Sequence, residues 1–172
     1  ERIGYVPQKG ILFTGTIESN LKYGRNADVD DENVLKAIEI SQAKEFIDEK
    51  ENKIYSEISQ GGTNVSGGQR QRLSIARALV KKPEIFIFDD SFSALDFKTD
   101  AALRKAMGEE IQDRTILIVA QRINTIMNAE NIVVLDEGRI VGIGTHSELL
   151  KNCDVYRQIA LSQLSEEELA ND

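Results

Sequence analysis

The residues best able to do chemistry in this chain lie in two neighbouring segments. These are VSGGQRQRLSIARAL, Val65 to Leu79, and IFIFDDSFSALD, Ile85 to Asp96, parted by a short break at Lys81, Lys82 and Pro83. In the first, Ser66 stands three residues before Gln69 and opens a helical pattern with Leu73, Ala76 and Leu79 on one face, so a helix N-terminus is expected there. Gly67 and Gly68 take side-chain bulk out of its first turn, leaving backbone N–H groups and the positive end of the helix dipole open to an anion such as phosphate. Taken alone, a Ser-x-x-Gln box with two glycines is ordinary helix chemistry. The second segment shifts that reading. Ile85, Phe86, Ile87 and Phe88 form a continuous apolar run, expected of a parallel strand buried on both faces, and the run ends in Asp89 and Asp90. Carboxylates at the C-terminal edge of such a strand sit where ligands bind in open α/β sheets. Asp89 is therefore a candidate Mg²⁺ ligand, directly or through water.

A frame must position these groups. Arg2 to Val6 reads as a strand, Gly10 to Gly24 as loop and short helix, and Asp30 and Asp31 can cap a helix carrying Val34, Leu35, Ala37 and Ile38. The polar stretch Asp48 to Lys53 breaks that pattern, and Gly61 and Gly62 lead to the helix after Ser66, which Pro83 closes. Residues 10–82 thus read as a mostly helical insertion, with residues 1–9 and 83–172 supplying a sheet core and a C-terminal hairpin with helices. Lys98 to Gln112 reads as a helix, Thr115 to Val119 as a strand, and Asp136, Glu137 and Gly138 as a tight turn between two β-rich runs. From His146 onward the chain reads as helix, with Tyr156, Ile159 and Leu164 as apolar positions and SEEELAND as an acidic, frayed tail. His146 itself is expected at a helix start or on the surface. Arg70, Arg72 and Arg77 are expected on a solvated or salt-bridged helix face.

Composition bounds the class. A chain of 172 residues with 41% hydrophobic and 29% charged residues suits one globular domain. It carries no run of about 18 apolar residues and nothing resembling a signal peptide. Cys153 is the single cysteine, which excludes an internal disulfide and reads as structural. A net charge of −8 argues against a nucleic-acid partner.

Together these segments resemble the ATP-binding-cassette ATPases, with SGGQ at the signature and IFIFD followed by an acid at the Walker B motif. The resemblance runs over most of the chain: YVPQ, Tyr5 to Gln8, is similar to the entry into the Q-loop, and SALD, Ser93 to Asp96, to the D-loop. ILIV followed by AQR, Ile116 to Arg122, falls at the switch loop, and Ile132 to Leu150 resembles the closing hairpin and helix of exporter-type cassettes. Ser56, Glu57 and Ile58 with Gly61 and Gly62 resemble the exporters' X-loop, which meets the coupling helices of a transmembrane domain. The implied fold is α/β, a P-loop-NTPase-like, mostly parallel sheet with an inserted helical subdomain. No GxxxxGK[ST] occurs in the sequence, so the Walker A strand is expected to be missing and its neighbours' apolar side chains uncovered. The sequence is accordingly expected to be the C-terminal part of a longer polypeptide, neither binding ATP tightly nor hydrolysing it alone.

Two departures from the family pattern stand out. The residue after the Walker B aspartate is Asp90 rather than Glu, which withdraws the carboxylate by one methylene from the attacking water. Gln121 replaces the switch histidine, and an amide donates a hydrogen bond without relaying a proton near neutral pH. The resemblance then implies a degenerate subunit of a heterodimeric exporter at the cytoplasmic face of a membrane, using ATP and Mg²⁺. Gln8, Asp89, Asp90 and Gln121 would belong to one slow site, with Asp89 and Gln8 on the metal. Ser66, Gly67, Gly68 and Gln69 would complete the site of a second, non-identical nucleotide-binding domain, with Asp96 along the seam. The open alternatives are a slow homodimeric exporter, a relative acting on DNA or ribosomes, and a non-catalytic regulatory module. The acidic charge and the exporter-like GTHSEL and X-loop segments count against the second.

Overall fold

The computed structural model describes residues 2–24 and 28–164. The chain divides into two compact units, Glu1–Val119 and Ala120–Asp172. In the first, β1 (Ile3–Val6), β2 (Gly15–Thr16), α1 (Ile17–Leu21), α2 (Asp31–Ile40), α3 (Lys44–Asp48), β3 (Glu57–Ile58), α4 (Gly67–Val80), β4 (Ile85–Asp89), α5 (Phe97–Glu110) and β5 (Thr115–Val119) follow in order. The strands form a parallel sheet in the order β1-β4-β5, while β2 and β3 make a separate antiparallel pair within the segment joining β1 to β4.

The register places the chemistry. Val6 pairs with Phe88 and Asp89 with Val119, so β1 and β4 run out side by side at their C-terminal ends. Phe86 and Phe88 are buried in a core shared with Val6 of β1 and with Leu73, Ala76 and Leu79, which are spaced to line one face of α4. Burial of β4 on both faces, expected from its apolar run, is not what the structure has. Ile85 and Ile87 are only half-buried, and Ile3, Tyr5, Leu117 and Val119 on the same face are exposed. Side chains alternate across a strand, and here Phe86 and Phe88 face the helix-packed core while their neighbours turn the other way.

Gly4 explains how closely β1 meets the end of α4. A Cβ there would lie 2.7 Å from Pro83 Cγ, a stiff ring, with Ala78 O at 3.5 Å. Gly4→Ala is therefore expected to cost about 1–3 kcal/mol through overpacking, read as a lowered urea midpoint at unchanged slope. An unchanged midpoint would mean that Pro83 moves aside freely.

Helix ends follow local capping. Asp30 accepts from Asn33 N and starts α2. Asp96 accepts from Thr99 N (2.9 Å) and Oγ1 (2.7 Å), so α5 begins at Phe97 and ends at Glu110, against the expected Lys98 to Gln112. Those bonds hold the Asp96 carboxyl below its ordinary pKa. The three arginines of α4, expected on a solvated or salt-bridged face, are half-buried, and each guanidinium donates to backbone carbonyls. Arg70 reaches Gly61 and Gly62, Arg72 reaches Gln42, and Arg77 reaches Asn20 and Ile11. Arg77 also lies over the stacked rings of Phe13 and Tyr23, with burial pulling its pKa down. These bonds satisfy carbonyls of loops and of the last turn of α1, which a reading of helix periodicity has no means to detect.

The second unit contains α6 (Ile123–Ile126), the antiparallel hairpin β6 (Ile132–Asp136) and β7 (Arg139–Gly144), then α7 (His146–Asn152) and α8 (Asp154–Gln163). Glu137 and Gly138 both have positive φ, 46° and 76°, the requirement of a two-residue hairpin turn. The expected single C-terminal helix is two helices, broken at Cys153, whose backbone is extended. Arg157 Nε and Nη2 donate to the carbonyls of Leu150 and Lys151 and so cap the end of α7. The break lets Tyr156 and Ala160 pack with Ile132 and Val134, while Ile159, another of the apolar positions, is exposed. Cys153 is buried in that cluster. His146 does start α7 but is buried rather than on the surface, its Nδ1 2.6 Å from the Tyr156 hydroxyl. The SEEELAND tail lies outside the described residues.

Candidate functional site

Parallel pairing brings Gln8 and Asp90 together, since each lies two residues beyond the paired ends Val6 and Phe88. Gln8 Nε2 donates to Asp90 Oδ2 at 2.9 Å. Beside it, the Tyr5 hydroxyl donates to Asp89 Oδ2 at 3.0 Å, and the carboxylate holds that phenol above its ordinary pKa. Both aspartates are half-buried and Gln8 is exposed, so the cluster meets solvent at the sheet's C-terminal edge. Asp90 takes a left-handed backbone, φ 46°, with its N–H donating to Val119 O at 2.8 Å. Asp tolerates this region better than most residues, which ties the shorter acid to the turn it occupies. Ser91, fully buried, donates its hydroxyl to Val6 O at 2.8 Å and locks this turn onto the end of β1.

The N-terminus of α4 forms a second group. Ser66 is its N-cap, and the box is complete: Gln69 N donates to Ser66 Oγ at 3.2 Å, and Ser66 N to Gln69 Oε1 at 3.0 Å. A Cβ on Gly67 would meet nothing within 4 Å, whereas one on Gly68 would lie 3.4 Å from Ala94 O, in the SALD turn that ends in Asp96. The first turn of α4 is thus open on the Gly67 side and backed by that turn on the other. Its free N–H groups and dipole suit an oxyanion.

Gln121 belongs to the second unit. It is exposed, and its carbonyl accepts from Gln163 Nε2 at 2.8 Å, while Gln163 Oε1 accepts from Ile123 N at 2.9 Å. One α8 side chain thereby holds the backbone on both sides of Arg122.

Among the described residues no group of three or more His, Cys, Asp or Glu is placed to hold a metal ion. The oxygens present, the Asp89 carboxylate and the Gln8 amide, fit Mg²⁺, which takes few protein ligands and completes its shell with water and phosphate. A cleft of about 240 Å³ lined by Asn33, Lys36, Glu110 and Arg114 lies away from these carboxylates and is not part of the site.

Sequence reasoning missed Tyr5 and Ser91 as supports of the aspartates, because their contacts span residues 84 and 85 apart in the chain. A parallel register between Arg2–Val6 and Ile85–Asp89 was the one available clue.

The family model for ABC transporters matches residues 1–93. The chain belongs to the ABC transporter family. It is 44% identical over 163 residues to an uncharacterized ABC transporter ATP-binding protein of Mycobacterium tuberculosis, covering 94% of this chain and 28% of that protein. It is 34% identical over 164 residues to a multidrug resistance ABC transporter ATP-binding and permease protein of Lactococcus lactis, covering 95% of this chain and 28% of that one. Its fold matches a bacterial Atm1-family ABC exporter solved with ATP bound, with a TM-score of 0.90 and 35% identity, over 96% of this chain and 29% of that one. The chain therefore spans about 28% of the length of these curated relatives. No helix among the described residues is long and apolar enough to cross a membrane.

Proposed function

We propose that this chain is part of the ATP-driven motor of an ABC exporter, working at the cytoplasmic face of a membrane with a transmembrane domain and a second, non-identical nucleotide-binding domain. The observation that carries this reading is the pairing of Gln8 with Asp90 beside Asp89, on a sheet edge next to an open, Ser66-capped helix. In this reading Gln8, Asp89 and Asp90 serve a nucleotide bound at the chain's own site. Tyr5 fixes one Asp89 oxygen and leaves the other for the metal side. Mg²⁺, when bound there by Asp89 and Gln8, supplies charge neutralisation of the β- and γ-phosphates. Asp90 orients water poorly, because its carboxylate is one methylene short and engaged by Gln8. Gln121 donates a hydrogen bond but relays no proton. This site holds ATP and turns it over slowly.

The N-terminus of α4, from Ser66 to Gln69, instead faces the γ-phosphate held by the partner domain and stabilises charge there. Asp96, whose carboxylate is committed to capping α5, shapes the seam through the Ala94 turn that backs Gly68. One site clamps while the other drives the cycle.

The test is the intact mass of the native product from its own cells, taken separately from membrane and soluble fractions. The expected species is membrane-bound and several times the 19.2 kDa of this chain. A soluble species at 19.2 kDa would overturn the exporter reading.

A further inference from the structure

Gln71 is a polar side chain buried almost completely, 2% exposed, on the signature helix. It lies two residues after Gln69, about 200° further round the helix, so it points inward where Gln69 serves the cap. Its amide uses both ends. Nε2 donates to Pro7 O at 3.0 Å, and Oε1 accepts from Gly10 N at 2.9 Å. These are the peptide groups on either side of Gln8 and Lys9, just past the point where the β1 ladder stops and backbone groups need other partners. Gly10 permits the close approach: a Cβ there would lie 3.0 Å from Arg70 O and 3.0 Å from Ser74 Cβ. The backbone around Gln8 is thus pressed onto α4 and pinned by one of its side chains, while the Gln8 side chain reaches Asp90.

We propose that Gln71 is a positioning residue for the nucleotide site: it fixes the backbone of Gln8 so that its amide stays on Asp90, and it joins that segment to the helix whose N-terminus forms the signature. The joint is stiff because the Gln71 amide is buried and a buried amide left without its partners is costly. This rests on the assignment of Gln8 to a slow ATP-holding site.

The test is a double-mutant cycle in the full-length transporter, reading the half-life of radiolabelled MgATP retained after dilution into unlabelled ATP. Gln8→Ala is made first, and it is expected to shorten retention about tenfold; no change there would overturn the assignment of Gln8, and the present proposal with it, before any Gln71 variant is compared. Gln71→Leu is then expected to shorten retention about tenfold in the wild-type background and less than about twofold in Gln8→Ala, because it acts through Gln8. Equal losses in both backgrounds would mark a merely structural role and overturn the proposal while leaving Gln8 in place. Should Gln71→Leu fail to fold, the same cycle is read with Gln71→Glu, which keeps the acceptor for Gly10 N–H and lacks the donor for Pro7 O.

Discussion

Gly67→Asp is expected to remove most ATP turnover from the full-length transporter while leaving its fold intact or slightly more stable. Gly67 is the first residue of α4, and a Cβ there meets nothing within 4 Å, so the new side chain has room. An acid in the first turn favours the helix dipole by about 0.3–1 kcal/mol, and replacing glycine lowers the unfolded chain's entropy advantage. The same carboxylate sits where a partner-held phosphate would approach, and it turns a cluster of donors into a repelling charge. Losing one such donor elsewhere costs on the order of 100-fold or more in rate, and a loss of that order is expected here. Gly67→Ala should stay within a few-fold of wild type, since it keeps the donors and adds no charge. Steady-state turnover and the thermal midpoint, measured on the same preparations, decide it. If Gly67→Asp turns over normally, the start of α4 does not face a phosphate.

Asp90→Glu combined with Gln121→His is expected to raise hydrolysis at the chain's own site by about 100-fold, with each single change giving less. The longer acid moves its carboxylate about 1 Å toward the position of an attacking water, and misplacement of that size is worth about that factor. The imidazole restores a group able to take up and return a proton near neutral pH. A cost accompanies the gain. At φ 46° a glutamate is less at ease than an aspartate, and the variant is expected to lose about 1 kcal/mol of stability. Site-resolved counting of labelled ATP and ADP after several turnovers reads the effect. Unchanged hydrolysis would mean that other residues make the site slow, or that the site is not degenerate.

The two predictions probe opposite ends of one architecture, and the sequence reveals those ends unequally. The start of α4 was legible because a capping box is local chemistry: Ser66, Gln69 and the glycines between them lie within one turn, and the structure reproduces both of their hydrogen bonds. The hairpin turn at Glu137 and Gly138 was legible for the same reason, since two adjacent positive φ angles leave a compositional trace. The start of α5 lies one residue before the expected Lys98 because the Asp96 carboxylate, which belongs to the SALD motif, is also its cap. His146 shows the limit from the other side. Its place at a helix start was readable, but its burial against Tyr156 depends on a helix break at Cys153 that brings α8 back onto the hairpin.

The sequence by itself determined the motifs and their order and marked Gln8, Asp89, Asp90 and Gln121 as candidates, because these rest on residue type and short spacing. It also determined that two of these residues depart from the family pattern. Only the tertiary structure decided that Tyr5 holds Asp89, that Gln8 reaches Asp90 and that Gln71 pins the backbone around Gln8. It likewise decided that Arg70, Arg72 and Arg77 serve backbone carbonyls rather than solvent. The reason is physical. A cap or a turn is settled by neighbours along the chain, whereas a side chain's hydrogen-bond partner across 61 to 85 residues is settled by strand register and helix packing, which no single segment encodes.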